Sequence, residues 1–328
     1  MMKRIPFLVL AMVPVALWAQ FAPAQGKPGT TAMHADSSAF VAWATGCTVE
    51  RGLQRIDQPE NGLASFGDEA LALGKPGGTM DVVSLGDGGT ATLTFESPIC
   101  NAAGPDFAVF ENGLHPNTDS TMTLYFLELG FVEVSSDGVN FFRFPAVSHV
   151  QADTQIANGG AVDPAQLHNF ASKYGVFYGT PFDLDEVEDN ALLDKNRITH
   201  VRIVDVVGCI DPDYASYDSE GHIINDPWPT SFASSGMDLD AVGVIHDLAH
   251  NDVAENGQGL VSVYPNPVKD RLWVKAGNLQ SVEVYNAMGQ QVMATSETYV
   301  DMGCMADGMY LVRIVCEGGI VTKQIVKQ

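Results

Sequence analysis

This sequence of 328 residues predicts an all-β protein, a jelly-roll-like β-sandwich followed by a small Ig-like β-sandwich. Three observations carry the prediction. Short runs alternate apolar and polar side chains with period two, the spacing of a half-buried strand. Gly, Pro, Asn and Asp fill the gaps between runs, and these are the residues that turn a chain. Charge then divides the sequence. The net charge is −23, yet residues 256–328 balance six basic residues against six acidic ones. The whole acidic excess lies ahead of that point, which places a domain boundary there.

The elements follow in order. Lys3 and Arg4, the apolar run "IPFLVLAMVPVALWA" and the small residues of "AQFAPAQG" have the three parts of a secretory signal peptide, assigned here to residues 1–24. Cleavage after either Ala19 or Ala24 fits. The run is short for a membrane span and is broken by Pro6 and Pro14. No other segment is long and apolar enough to cross a bilayer, so the mature chain is expected to lack a transmembrane segment.

Residues 25–245 form the acidic domain. "TATLTFESPI" (90–99) sets Ala91, Leu93 and Phe95 against Thr90, Thr92 and Thr94. "DFAVFEN" (106–112) and "FLELGFVEVSSDG" (126–138) continue the series, the second ending in the hairpin signal Asp137-Gly138. "ITHVRIVDVVG" (198–208) puts Ile198, His200, Arg202 and Val204 on one face, and "MDLDAVGVIH" (237–246) closes the domain. One helix is expected over residues 163–175, with Asp163 as N-cap, Pro164 in the first turn and Gly175 as the stop. Leu167, Phe170, Ala171 and Tyr174 would share its buried face. Residues 246–259 are polar and weakly patterned and read as a linker. Residues 260–328 hold about seven strands, with Pro265 and Pro267 ending the first and Met288-Gly289 and Gly318-Gly319 supplying hairpin turns.

Composition narrows the function classes. So acidic a surface repels nucleic acid, whose phosphates need Lys and Arg. Five cysteines leave at least one unpaired within the chain. Cys100 and Cys209 each follow an apolar strand-like run and are the first candidate disulfide, with Cys304 and Cys316 the second. The alternative for each is a buried thiol acting as a small hydrophobe. No C-x-x-C, G-x-S-x-G or H-E-x-x-H occurs, which removes zinc ribbons and two families of hydrolase signature.

Two stretches resemble known families. "VYPNPVKDRLWV", "VEVYNAMGQQV", "ADGMYLVRI" and "TKQIVKQ" occur in that order, and together they resemble the type A C-terminal sorting domain of the type IX secretion system of Bacteroidota. Tyr264, Pro265, Asn266, Pro267, Gly308, Tyr310, Lys323 and Lys327 carry the motif. The resemblance implies the type IX machinery as a partner, translocation across the outer membrane, and secretion or attachment to the cell surface. Residues 38–245 resemble secreted Bacteroidota surface proteins of unassigned activity through "FVAWATGCTVERG", "DVVSLGDGGTATLTFESPI", "GPDFAVFENG" and "NDPWPTSFASSGMDLDAVGV". That likeness implies a jelly-roll module of carbohydrate-binding appearance.

Two groups of residues are candidate sites. Asp106, Glu111 and Asn112 bracket one strand, and Asp238 and Asp240 begin the last. Carboxylates and an amide oxygen meeting at strand ends would suit a structural Ca²⁺; the alternative is that they cap turns and accept backbone N–H groups. The long loop 209–232 sets Tyr214, Tyr217, Trp228 and Phe232 among carboxylates, a stacking surface for a glycan or another small ligand. The alternative is a loop pinned by buried aromatics. The sequence therefore reads as a non-catalytic binding module delivered to the outside. A hydrolase with a carboxylate pair and a structural envelope or matrix protein are the other readings.

Overall fold

The computed structural model describes residues 21–116, 119, 121–250, 261–316 and 319–328. Residues 1–20 of the expected signal peptide and 251–259 of the expected linker therefore lie outside the described residues. The chain divides into two compact units, Met1–Ala249 and His250–Gln328.

The first unit has, among its described residues, the strands β1 (Met33–His34), β2 (Ala42–Trp43), β3 (Gly46–Glu50), β4 (Val83–Ser84), β5 (Thr90–Ile99), β6 (Phe107–Glu111), β7 (Gly130–Ser135), β8 (Phe142–Arg143), β9 (Val147–Ser148), β10 (Leu167–His168), β11 (Tyr178–Phe182), β12 (Ile198–Asp205) and β13 (Asp238–Val244). One sheet runs β1-β11-β6-β13-β2, with β4 beside β13, and the other runs β3-β5-β12-β7-β8. All these pairings are antiparallel. The main core lies between the sheets: Phe107, Val109, Leu239 and Val242 from one meet Leu93, Val132, Val201 and Ile203 from the other. The unit is thus a β-sandwich, as the alternation predicts.

Three details depart from the sequence reading. The β12–β5 register slips between Ile198 and His200. The slip turns Ile198 into the main core beside Val201 and Ile203, away from the face of His200 and Arg202. Strand β7 is buried on both faces, because Leu129 and Phe131 enter a second core with Leu167, Phe170 and Ile224. The helix expected over 163–175 is a single 3₁₀ turn at Pro164–Gln166, capped by Asp163, which accepts from Ala165 N at 2.9 Å. The chain then pairs as β10 with β9, and Asn169 takes a left-handed conformation at φ 55°. Leu167 and Phe170 go to the second core while Ala171 goes to the first. The 3.6-like spacing thus records burial in two cores, not one helical face.

Both ends of the unit extend past the expected boundaries. Phe21 N donates to Ala165 O at 3.0 Å, and Ala24, 1% exposed, belongs to the second core. At the other end Leu248 N donates to Pro98 O at 3.0 Å and Ala249 N to Ser97 Oγ at 3.0 Å. Residues 21–24 and 246–249 are therefore part of the sandwich.

The second unit has β14 (Ser262–Tyr264), β15 (Arg271–Lys275), β16 (Leu279–Asn286), β17 (Gln291–Thr295), β18 (Tyr299–Asp301), β19 (Gly308–Cys316) and β20 (Gly319–Lys327). They form the sheets β14-β15-β18 and β17-β16-β19-β20. Leu272 and Val274 of one meet Val282, Val284, Val312 and Ile314 of the other in a core of their own. Gly289 turns at φ 76° between β16 and β17, as its place after Met288 predicts, whereas Gly318 lies outside the described residues.

Candidate functional site: the buried acids, the aromatic loop and a cavity

The five expected metal ligands do not converge. Strands β6 and β13 are antiparallel, with Glu111 opposite Leu239 and Phe107 opposite Val244. Asp106 therefore sits at the far end of the pair from Glu111, Asn112 and Asp238. Its Oδ1 accepts from Ala102 N and meets His246 Nδ1, each at 2.9 Å, and its Oδ2 accepts from Leu184 N at 2.8 Å. Asp240 accepts from Gly77 N at 2.9 Å and from Gly78 N at 3.2 Å. Asp238 accepts from Ser84 Oγ and, at 2.9 Å, from Asn112 Nδ2. Among the described residues no group of three His, Cys, Asp or Glu is arranged to hold a metal ion. Most of these acids serve as acceptors built in for loop N–H groups.

A wider set of buried carboxyls was missed by sequence reasoning. Asp205 accepts from Met237 N and Gly88 N, and Asp226 accepts from Leu129 N. Glu111 accepts from Gly113 N at 2.6 Å with Oε2, while its Oε1 and the Oε1 of Glu128 are buried without a hydrogen bond. Burial, with Asp238 nearby, holds Glu111 and Glu128 well above the usual carboxylate range. Burial also lifts Asp205 and Asp226 well above it, and pushes Asp238 and Asp240 up to about 6. The sequence shows the acids, but not that Asp205, Asp226 and Asp240 serve amides 32 to 163 residues away.

The aromatic loop is only partly a surface. Trp228 is 9% exposed. Its Nε1–H donates to Asp87 Oδ2 at 3.0 Å, and Arg55 covers its ring at 5.4 Å. An indole whose N–H is held by a buried carboxylate is an internal anchor and has no free face for a ligand. Tyr214, Tyr217 and Phe232 are exposed. The loop between them is pinned from within: Asp218 accepts from Ser148 N and His222 N, and Asn225 Nδ2 donates to Gln151 O and Thr154 O.

No disulfide joins Cys100 to Cys209 or Cys304 to Cys316 in this structure. Cys100 follows the C-terminal end of β5, and Cys209 follows that of β12. These strands are antiparallel neighbours, with Ile99 opposite Ile198 and Thr90 opposite Val204. Two cysteines that each follow one of them lie at opposite ends of the sheet, about 30 Å apart at 3.3 Å per residue. Cys304 and Cys316 likewise flank the two ends of β19.

A cavity of about 540 Å³ opens elsewhere, where β1, β10 and β11 meet residues 21–22. Phe21, Met33, Pro105 and Pro181 give it an apolar wall, and Lys173, His168, Asp183 and Glu186 supply charge. Phe21 is stacked between His149 (4.9 Å) and His168 (5.0 Å). His168 Nε2 lies 3.0 Å from Glu186 Oε2, and Asn169 Nδ2 donates to the same oxygen at 2.7 Å. Those contacts hold the Glu186 carboxyl below its usual range. Lys173 is 4% exposed, and its Nζ donates to Leu167 O at 2.6 Å. No sequence motif marks this cavity, because its walls come from four separate stretches of chain.

In the second unit the motif residues have distinct places. Asn266 clamps β20, its Nδ2 donating to Gln324 O at 3.1 Å and its Oδ1 accepting from Val326 N at 2.9 Å. The flanking Tyr264 is exposed at the end of β14. Tyr310 is buried and donates its hydroxyl to Ala306 O at 2.8 Å, while Lys327 Nζ reaches Asp307 Oδ1 at 3.2 Å. Lys323 stands opposite Val312 in the β19–β20 ladder, and Gly308 opens β19.

No curated protein matches the chain at a significant level. A solved structure of a biofilm associated protein BSP domain is similar at 12% identity, over 73% of this chain and 48% of that one, with a TM-score of 0.19. The chain thus spans about half the length of that protein, and a TM-score so low carries no argument. Residues 262–328 match the secretion system C-terminal sorting domain family. Their two sheets, their YPNP clamp and their separate core accord with that assignment. The chain therefore ends in a type IX sorting domain, and it is a protein exported to the cell surface or the extracellular space.

Proposed function

We propose that the first unit is a non-catalytic binding domain carried outside by the sorting tail, and that its seat for a small organic ligand is the cavity beside Phe21. The observation that carries this reading is the cavity itself. Its volume of about 540 Å³ lies in the range of small-molecule sites, and it combines an apolar wall with a few polar groups. A ring stacked between two histidines gives it a stiff floor. The aromatic loop supports a glycan surface less well, since Trp228 is engaged inside.

The test is a thermal-shift screen of small organic molecules on the full mature chain. Ligands that raise the melting temperature should lose their effect in Phe21→Ala and in Met33→Trp, which fills the cavity. They should keep it in Tyr217→Ala and Phe232→Ala. The opposite pattern would move the site to the loop and sink the cavity reading.

A further inference from the structure

Lys173 has a need that the fold does not meet. The chain carries 40 acidic residues, yet this buried ammonium forms no ion pair among the described residues. Its one hydrogen bond goes to a neutral carbonyl, Leu167 O. Its Nζ also lies 5.9 Å from the centroid of Phe21 and 5.7 Å from that of Tyr174, weak cation–π contacts that leave donors unused. Burying an unpaired charge is costly unless something pairs it. The carboxylates that share the cavity wall are otherwise engaged: Glu186 by His168 and Asn169, and Asp183 by Asp185 N at 2.9 Å.

We propose that the cavity takes a small organic acid, with the ligand carboxylate paired to Lys173 Nζ and its apolar body against Phe21, Met33 and Pro181. The inference rests on the cavity being the binding seat and adds the class of ligand. The energetics favour it. The cost of burying the ammonium is already met in the free protein, so the incoming carboxylate gains a charge-assisted hydrogen bond in a place of low dielectric. The state of the amine agrees: burial holds Lys173 down at about 8, with Asp163 opposing this only in part. A bound anion would raise that value, so binding takes up protons and must weaken as pH climbs past about 8.

The test uses phenylacetate and 3-phenylpropionate against phenylacetamide and 3-phenylpropionamide, titrated calorimetrically into the full mature chain. The acids should bind roughly tenfold or more tightly than the amides, the yield of a hydrogen bond between charged groups. Lys173→Met should erase that preference while leaving amide binding in place. A second readout needs no variant: wild-type affinity for the acids should fall between pH 8 and pH 10, while amide affinity should not. Equal binding of acid and amide, or acid affinity that does not change with pH across that range, would overturn the anion assignment and leave the cavity standing. If neither acid nor amide binds, the cavity reading falls as well.

Discussion

Trp228 shows how one side chain can look like a ligand platform in sequence and act as a strut in structure. A tryptophan in a long acidic loop suggests stacking. Its indole N–H instead meets Asp87 Oδ2, which also accepts from Ile56 N at 2.8 Å. Burial raises Asp87 in spite of both bonds. Removing the indole donor strips that carboxyl of one of two partners in a buried place, so Trp228→Phe should cost about 1–3 kcal/mol. Urea denaturation of the full chain measures it, and ligand affinity at the cavity should stay unchanged. Unaltered stability together with lost binding would restore Trp228 as a contact residue. The acids carry the same lesson. Asp238 and Asp240 stand two apart in sequence, yet one serves Ser84 and Asn112 and the other Gly77 and Gly78. Residue type was legible at these positions. The partner was not, because it lies 126 to 163 residues away in the chain.

At the scale of elements, alternation located the strands well. The run 90–99 is β5 from end to end, and the runs at 106–112, 198–208 and 237–246 contain β6, β12 and β13. Period two survives in the sequence because each strand has one face in the core. What failed was the helix at 163–175, where residues buried by two different cores imitate one helical face, and the edges of the domain, where polar composition hides packing. The leading edge yields a prediction. Residues 21–24 cannot leave with a signal peptide without removing Ala24 from the second core and Phe21 from between two histidines. Of the two cleavage points that fit the sequence, only the one after Ala19 preserves the fold. N-terminal sequencing of the exported protein should therefore begin at or before Phe21; a chain beginning at Gln25 would overturn this. Phe21→Ala should cost about 1–3 kcal/mol, less than truncation of a fully buried aromatic because the ring is half-buried.

For the molecule as a whole, the two units should answer to acid differently. Folding of the first unit lifts many carboxyls: Asp238 and Asp240 to about 6, and Glu111, Glu128, Asp205 and Asp226 well above the usual carboxylate range. A carboxyl raised above its unfolded value near 4 leaves the folded state holding more protons between the two values. Its contribution is complete below about pH 4 and is lost as pH rises through the folded value. Asp238 and Asp240 are each worth roughly 3 kcal/mol on this count. The opposite sign belongs to Asp36, Asp119, Asp137 and Asp189, which are held below their usual range by hydrogen bonds and lysines; their contribution is lost only as pH falls below about 4. The first unit should thus be most stable between about pH 4 and 6, unlike most proteins, whose optimum reaches neutrality. In the second unit Glu283 is shifted down by Tyr285 and Arg313, so it gives no gain on acidification. Calorimetry of the full chain from pH 7 to pH 5 should show the larger transition rising by about 5–10 °C and the smaller one standing still. The double variant Asp238→Asn, Asp240→Asn should shrink the rise without abolishing it, because an amide keeps the size of the side chain and removes two of the titrations. A larger transition that falls steadily over the same range would mean that the buried acids stay ionised, and that something other than protons neutralises them.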